Sequence, residues 1–366
     1  MDVVTVLAVV GTRPELVKMA PVLRALDSQP ATEPRLLHTG QHYDAELSGE
    51  FFDVLGLPEP AVNLDVGSTG GAQQTADGLV GIDADIAQRE PAAVLTLGDT
   101  NAVLAATLAG AKRDTLVGHI EAGLRSYDRT MPEEVNRVVA DHLSELLFAP
   151  TESAVANLAG EGIEVGVTQT GNTVVDACLD HAPVAREQSD ARSRFGVESD
   201  GYALATIHRP HNTEAPDRLR AILGALDGAP IPVVLPAHPR TETTIEALGV
   251  EPDGSLRLAE PQGYLDFLAL LDGAHVVVTD SGGVQEEASV LETPCLTVRP
   301  NTERPETVEA GVNELVEPSN LATRLRALAT DADARAAMTG HPDLYGDGQA
   351  GERIVDALVE TLEVDG

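Results

Sequence analysis

Carboxylates follow apolar segments at three points in the first half of the chain. Asp99 ends one such segment, Glu121 ends the next, and Glu133 and Glu134 follow Pro132 at a predicted helix start. An aspartate there can simply cap the next helix, and glutamates in a first turn are favoured by the helix dipole alone. Three acidic loops at one place, however, would repel one another and raise some carboxyl pKa values. The pattern therefore predicts general acid–base chemistry.

Two cations belong to the first strand-to-helix junction, in the segment GTRPE. Gly11 permits a tight turn and Pro14 suits the first helical position, so Arg13 is placed beside a helix N-terminus, where an anion binds well. Lys18 lies on the same helix and can reach the same space; Lys112 is the only other lysine. The alternative is a capped helix with two solvated cations. We predict that Arg13 and Lys18 are functional.

Histidines end two predicted strands of the second half. His208 precedes Arg209 at the end of one apolar segment, and His238 lies in PAHPR at the end of another. A lone histidine is more often a hydrogen-bonded structural group than a catalyst. We predict a functional role for His208 and keep His238 as a candidate substrate or allosteric contact.

The segment DSGGVQEEA has the features of a diphosphate site. Ser281, Gly282 and Gly283 open a predicted helix, where backbone N–H groups can approach an anion without obstruction by a Cβ atom. Glu287, about one turn later, can accept hydrogen bonds from ribose hydroxyls, and the following TERPE segment supplies Arg304. The chain has neither G-x-G-x-x-G nor G-x-x-x-x-G-K-[ST], which disfavours dinucleotide and P-loop sites.

The elements that must position these residues alternate between short β-rich runs and helical patterns, which predicts parallel strands joined by helices. The expected class is α/β, with two Rossmann-like doubly wound domains facing a cleft. We predict domains at residues 1–170 and 171–352, with a final helix over 353–366 that packs on the first domain. Ten strands are predicted: Val3–Val10, Arg35–Thr39, Ala92–Gly98, Thr115–Ile120, Leu146–Ala149, Ala203–Ile207, Val233–Pro236, Leu256–Leu258, His275–Thr279 and Cys295–Val298.

Composition narrows the classes of partner. The formal charge is −35, with 59 acidic against 24 basic residues spread along the chain. Such a surface repels nucleic acid and anionic membranes, and it fits the concentrated salt of a halophile's cytoplasm. The first residues are predicted to form a strand, not a signal peptide, and no segment reaches the length of a membrane span. Cys178 and Cys295 are far apart in sequence and indicate neither a disulfide nor a metal site.

The motifs GTRPE, GDTNA, HIEAGLRS, MPEEVNR, TGNTVVDA, HRPHN, PAHPR, DSGGVQEEA and TERPE occur in this order between Gly11 and about Gly348. Together they resemble the non-hydrolysing UDP-N-acetylglucosamine 2-epimerases. The resemblance implies a glycosyltransferase-B-like fold closing on a UDP-sugar, usually a homodimer, and an isomerase that needs no redox cofactor and no metal.

Residue roles follow from the same resemblance. It implies a catalytic set of Lys18, Asp99, Glu121, Glu133 and His208, phosphate contacts from Arg13, Ser281, Gly282, Gly283 and Arg304, and a ribose contact from Glu287. The implied mechanism is anti-elimination of UDP across C1–C2 to a 2-acetamidoglucal, followed by re-addition with the proton on the opposite face. The resemblance does not say which carboxylate removes the proton and which returns it.

One segment departs from the family pattern. Thr-Gly-Gln-His is followed here by Tyr-Asp-Ala-Glu and not by the stretch that helps many bacterial members bind a second, allosteric UDP-N-acetylglucosamine. Gln41 and His42 are candidate substrate or allosteric contacts, and the departure speaks against allosteric control. Arg137, in MPEEVNR, is a further candidate of the same kind. The Tyr-Asp continuation also resembles relatives that act on UDP-2,3-diacetamido-glucuronic acid, which is the alternative substrate.

Two other functions compete with epimerisation. A glycosyltransferase of the same fold would consume donor only with an acceptor present, and it needs no base at C2, so Asp99, Glu121 and Glu133 speak against it. A nucleotide-sugar sensor would bind without turnover. The expected catalytic positions are all filled by the matching residue types, which favours the epimerase.

Overall fold

The structure, a computed structural model, describes residues 3–40, 52, 54–67, 69–237, 239–341 and 343–364. The chain divides into Met1–Ala177 with Tyr345–Gly366, which we call unit 1, and Cys178–Leu344, which we call unit 2. Each unit contains one parallel sheet. No helix among the described residues is both long and apolar enough to cross a membrane.

Unit 1 has a seven-stranded sheet in the order β3-β2-β1-β4-β5-β6-β7. Its central strands read as continuous apolar runs because parallel strands are covered by helices on both faces. Its elements are β1 (Val4–Val10), α1 (Arg13–Ser28), β2 (Thr32–His38), β3 (Val62–Asn63), α2 (Gly71–Arg89), β4 (Ala93–Leu97), α3 (Asn101–Lys112), β5 (Leu116–Ile120), α4 (Pro132–Leu143), β6 (Leu146–Ala149), α5 (Glu152–Gly160), β7 (Val167–Gln169), the start of α6 (Thr173–Gln188) and the last helix, α16 (Ala350–Val364).

Unit 2 has a six-stranded sheet in the order β10-β9-β8-β11-β12-β13. After the end of α6, its elements are α7 (Ala191–Phe195), β8 (Ala203–Thr206), α8 (Pro210–Thr213), α9 (Pro216–Asp227), β9 (Val233–Pro236), α10 (Pro239–Ala247), β10 (Leu256–Ala259), α11 (Tyr264–Asp272), β11 (Val276–Thr279), α12 (Gly282–Val290), β12 (Cys295–Thr297), α13 (Pro305–Glu309), β13 (Asn313–Leu315), α14 (Pro318–Thr330) and α15 (Ala332–Ala336).

Helices cover both faces of the second sheet. Val276 and Val278 of β11 pack in a core with α9 and α14, whereas Val277 between them packs with α11 and α12. Successive side chains of a strand point to opposite faces, so this alternation marks a doubly wound sheet. The predicted α/β class with two doubly wound units is confirmed.

All ten predicted strands are present, with ends shifted by three residues at most. Three strands were missed: β3, β7 and β13, each of two or three residues. All three lie at sheet edges, where a strand needs no long apolar run.

The last helix begins in unit 1 against α1 and α6. The backbone of Gly351 leaves no room for a side chain, since an added Cβ would lie 2.9 Å from the backbone of Pro21. Asp176 of α6 accepts the Gly351 N–H at 2.8 Å, as favoured for a carboxylate at a helix N-terminus. The helix starts at Ala350 where residue 353 was expected, and the two units divide within α6, after the boundary expected near residue 170.

In each parallel sheet there is one point from which successive strands are added toward opposite edges. This point lies between β1 and β4 in unit 1 and between β8 and β11 in unit 2. In open parallel sheets, ligands bind beyond the carboxyl ends of the strands at this point. Arg13 and Asp99 follow β1 and β4, and His208 and Ser281 follow β8 and β11. The topology therefore places the predicted site residues where each sheet favours binding.

Candidate functional site

In unit 1, the carboxyl ends of β1, β4 and β5 lie side by side, and we call this region the acidic edge. Thr12 caps α1, so Arg13 is its first residue and Pro14 its second, one position later than predicted. Arg13 is half-buried. The acidic edge carries Arg13 and Lys18 on α1, Asp99 after β4 and Glu121 after β5.

Lys18 and Glu121 form an ion pair across this edge. The Lys18 Nζ lies 2.5 Å from Glu121 Oε1, and the two side chains are only 12% and 6% exposed. Glu121 has a left-handed backbone, with φ of 69°, which costs free energy for a residue with a side chain. The alternative of a solvated Lys18 is therefore wrong, and the strain at Glu121 is typical of a functional position.

Asp99 is bound by a residue of α4, and part of its side chain remains accessible. Its carboxylate pairs with the Arg137 guanidinium, and its side chain is 30% exposed. Arg137 is 3% exposed and also donates to Glu134 at 2.8 Å. The sequence suggested Arg137 as a candidate substrate or allosteric contact; in the structure its nitrogens are taken up by two carboxylates inside the protein.

The two adjacent glutamates of α4 have different surroundings. Glu134 is 2% exposed and accepts hydrogen bonds from the N–H groups of Ser126 and Tyr127, both at 2.9 Å. Glu133 is half-buried at the start of the helix. Glu134 therefore anchors the preceding loop, which leaves Glu133 as the residue of this pair that can act on a ligand.

A buried cation lies beneath the acidic edge. His119 is fully buried, with Nδ1 2.6 Å from Asp141 and Nε2 2.8 Å from the Gly98 carbonyl oxygen. Burial opposes a charge on His119, but the Asp141 carboxylate raises its pKa above the usual value. Both ring nitrogens face acceptors, so the imidazolium form satisfies them together. The sequence did not single out His119, because its partner Asp141 lies 22 residues further along the chain, in α4.

Arg125 belongs to the same buried group of charges. It pairs with Asp141 at 2.6 Å and with Glu161 at 2.8 Å, and its side chain is almost fully buried. Arg125 therefore supports the loop that follows β5 from inside the protein.

Glu15 is the carboxyl group of the acidic edge whose pKa is raised. It accepts hydrogen bonds at 2.8 Å from the N–H groups of Gly11 and Thr12, and at 2.6 Å from the Thr100 hydroxyl. Burial raises the pKa of Glu15 to about 7 against these hydrogen bonds, and the nearby charge of Asp99 adds to the increase. The sequence showed Glu15 only as part of the GTRPE motif.

In unit 2, Asp280 organises the ends of β8 and β11. It is fully buried and accepts hydrogen bonds from the backbone N–H groups of His208 and Arg209 and from Asn212. Burial opposes its ionisation, but the hydrogen bonds from His208 and Asn212 lower its pKa below the usual value. The His208 ring is 52% exposed, with Nδ1 3.1 Å from Asp280. An ionised carboxylate only accepts, so Nδ1 carries a proton and Nε2 is left for a ligand.

The start of α12 fits the predicted diphosphate site. Ser281 is the N-cap and Gly282 the first helical residue. An added Cβ on Gly282 would lie 2.8 Å from the Arg304 guanidinium, whereas one on Gly283 would meet nothing within 4 Å. Protein packing therefore explains the first glycine and not the second, which leaves Gly283 open to a ligand.

Arg304 is held by two buried carboxylates. It donates to Glu286 at 2.9 Å and lies 3.4 Å from Glu303, which also pairs with Arg299. Burial opposes ionisation of Glu303, but the two guanidinium groups lower its pKa far below the usual value. Arg304 is therefore fixed against Gly282, with only 7% of it exposed.

In unit 1 the structure pairs Lys18 with Glu121 and places Asp99 after the neighbouring strand. In unit 2 it places His208 and Ser281 after the neighbouring strands β8 and β11. Glu287 is half-buried on α12. Gln41, His42 and His238 lie outside the described residues.

Comparison with known proteins gives one consistent result. Residues 24–359 match the model of a family described as UDP-N-acetylglucosamine 2-epimerase. The UDP-N-acetylglucosamine 2-epimerase of Methanocaldococcus jannaschii is 41% identical over 96% of this chain and 97% of its own length. The UDP-2,3-diacetamido-2,3-dideoxy-D-glucuronate 2-epimerase of Pseudomonas aeruginosa is 40% identical over 97% and 99%. The crystal structure of the M. jannaschii enzyme in complex with UDP-GlcNAc and UDP has a TM-score of 0.88, at 39% identity over 97% of this chain and 99% of that one.

Proposed function

Because this chain belongs to the UDP-N-acetylglucosamine 2-epimerase family, we propose that it interconverts UDP-N-acetylglucosamine and UDP-N-acetylmannosamine without hydrolysing them. The observation that carries the proposal is the acidic edge itself, where Lys18 pairs with Glu121 and Asp99 follows the neighbouring strand. A reaction that removes and returns a proton at carbon needs such a set of carboxylates, whereas glycosyl transfer needs no base at C2.

The proposed reaction is an elimination followed by its reversal on the opposite face. A carboxylate of the set Asp99, Glu121 and Glu133 accepts the C2 proton. The C1–O bond breaks, UDP leaves with the electron pair, and a C1–C2 double bond forms. The UDP oxygen then adds back to C1 while a proton is delivered to the other face of C2. Positive charge develops at C1 as UDP leaves, and nearby carboxylates stabilise it.

Unit 2 supplies the groups proposed for UDP with one exception, Arg13, which belongs to unit 1. The N–H groups at the start of α12 suit a diphosphate, Arg13 and Arg304 supply positive charge, and Glu287 suits the ribose. His208 is assigned to the catalytic set, with Asp280 fixing its tautomer.

The test is incorporation of solvent deuterium. UDP-N-acetylglucosamine incubated with the protein in D2O and molar KCl should give a mixture with the manno isomer, both carrying deuterium at C2 by NMR and mass spectrometry. Free UDP measured in the same samples should not increase with product. Product without deuterium would eliminate the proposed mechanism, and UDP rising in step with a free sugar would indicate a hydrolysing enzyme.

The alternative substrate is UDP-2,3-diacetamido-2,3-dideoxy-D-glucuronate. It is supported by the 40% sequence identity to the P. aeruginosa enzyme, which is nearly as high as the 41% identity to the M. jannaschii enzyme. Parallel assays with UDP-N-acetylglucosamine and UDP-2,3-diacetamido-2,3-dideoxy-D-glucuronate compare kcat/KM directly. The proposed substrate should be turned over with the higher value. A higher kcat/KM for the diacetamido-glucuronate would keep the proposed 2-epimerisation and change the proposed sugar substrate.

We also propose that the protein is a homodimer working in the cytoplasm of a halophile. The net charge of −35 supports the last part, because concentrated salt shortens the Debye length from about 8 Å at 0.15 M to about 3 Å at 1 M and screens the repulsion between surface carboxylates. The melting temperature and the activity should therefore both rise when KCl is increased over this range. A melting temperature that is independent of KCl would contradict the salt adaptation, and ultracentrifugation in molar KCl measures the oligomer.

A further inference from the structure

Helix α4 holds the turn that carries Asp99 at two points. The Asn136 amide donates to the Asp99 carbonyl oxygen at 2.9 Å, and the guanidinium of the next residue, Arg137, pairs with the Asp99 carboxylate. Asn136 also lies 3.4 Å from the side-chain oxygen of Asn101, the first residue of α3. Both the backbone and the side chain of Asp99 are therefore fixed relative to α4.

The same arginine fixes the loop that precedes α4. One nitrogen of Arg137 faces Asp99 and another donates to Glu134, which in turn holds the backbone N–H groups of Ser126 and Tyr127. Tyr127 has φ of 58°, a left-handed conformation that needs such support. Arg137 thus connects two loops of the acidic edge through one planar group.

Burial makes this connection rigid. Arg137 and Glu134 are 3% and 2% exposed, so neither charge can be satisfied by bulk water. A guanidinium has donors in a fixed fork and can bind two carboxylates at once, whereas a lysine ammonium is a point charge on a flexible stem. Of the three charged groups Asp99, Arg137 and Glu134, Asp99, at 30% exposed, is the one that a ligand can reach.

We propose that Asn136 and Arg137 are positioning residues that set Asp99 relative to Glu133, which lies one residue before Glu134 in the first turn of α4. This rests on the proposed function, in which both acids act at the same sugar. Two acids that are carried by a turn and by a helix keep a productive spacing only if these two elements are held in a fixed relative position. Proton transfer depends steeply on that geometry.

The test is the kinetics of Arg137→Met and Arg137→Lys with UDP-N-acetylglucosamine. We expect Arg137→Met to lower kcat about 100-fold, the scale of a misplaced catalytic group, with KM changed less than about threefold. Arg137→Lys should recover part of kcat. Arg113→Met is the matched control, because Arg113 also pairs with a carboxylate of unit 1, at 2.6 Å from Asp83, but is 41% exposed. Its kcat should equal that of the wild type.

Circular dichroism and calorimetric titration with UDP identify the folded fraction of each variant, and kcat is expressed per folded molecule. If Arg137→Met does not fold, Asn136→Ala removes the other contact to Asp99 and should lower kcat about tenfold. A kcat within threefold of wild type in the folded variant, or a loss confined to KM, would overturn the positioning role. If the wild type itself exchanges no deuterium at C2, the proposed function fails instead, so the two failures are distinguishable.

Discussion

Glu121→Gln should lower kcat for epimerisation by about a thousandfold, within the range that general acid–base groups contribute. Glutamine keeps the size of the side chain and can adopt the left-handed backbone no worse than glutamate, but it cannot accept a proton. It also leaves the Lys18 ammonium, now 2.5 Å from a carboxylate, beside a neutral amide. Initial rates with UDP-N-acetylglucosamine and deuterium incorporation at C2 both measure the loss.

The matched control is Glu152→Gln, which removes a glutamate from the exposed first turn of α5 and should leave kcat unchanged. The double variant Lys18→Met with Glu121→Gln separates chemistry from stability. It should regain the stability lost when a neutral amide replaces the carboxylate beside the Lys18 ammonium, while remaining inactive. A Glu121→Gln enzyme with kcat within tenfold of the wild type would mean that Glu121 transfers no proton.

The fold could be predicted from sequence because its central strands are buried on both faces. Segments such as Leu146–Ala149 and Val233–Pro236 are short apolar runs, and their predicted and observed limits coincide. Edge strands carry no such signal. Val62–Asn63 is a strand only because it pairs with β2, and no local sequence pattern predicts this pairing.

The site could be predicted in part because its residues follow strands. Position at a strand end places Asp99 and Glu121 at the same edge, whatever their side chains contact. The local pattern could not distinguish Glu133 from Glu134, since both suit a helix start equally well, and only the family resemblance pointed to Glu133. The distinction arises from the loop at Ser126, eight residues earlier, whose N–H groups need the Glu134 carboxylate.

Charge crowding was expected to raise carboxyl pKa values at this edge, and the structure shows a different cause. The raised pKa belongs to Glu15, and burial is its main origin, with the charge of Asp99 a smaller contribution. Burial depends on how α1 packs against β4, so it could not be derived from the spacing of acidic residues. Titration at the edge therefore reflects packing as well as repulsion.

Glu15 should make the free energy of unfolding fall as pH rises from about 5 to 7. Its pKa increases from an ordinary 4.5 to about 7 on folding, so between these values the folded chain holds a proton that the unfolded chain has released. Stability then decreases with pH, by about 1.4 kcal/mol per pH unit and about 3 kcal/mol in all. Asp141 and Asp280, whose pKa values are lowered, have the opposite effect at more acidic pH.

Glu15→Gln isolates this contribution, because its amide mimics the protonated acid. The amide NH2 can donate to the Thr100 hydroxyl, while the remaining oxygen accepts from Gly11 and Thr12 as the carboxyl oxygen does. We expect denaturant unfolding in molar KCl at pH 5, 6, 7 and 8 to show a change in relative stability. The free energy of unfolding of the variant should increase relative to that of the wild type by about 3 kcal/mol between pH 5 and pH 8. The free energy of unfolding of Glu152→Gln should depend on pH in the same way as that of the wild type. Parallel curves for Glu15→Gln as well would show that Glu15 is already ionised at pH 5, with its hydrogen bonds outweighing its burial.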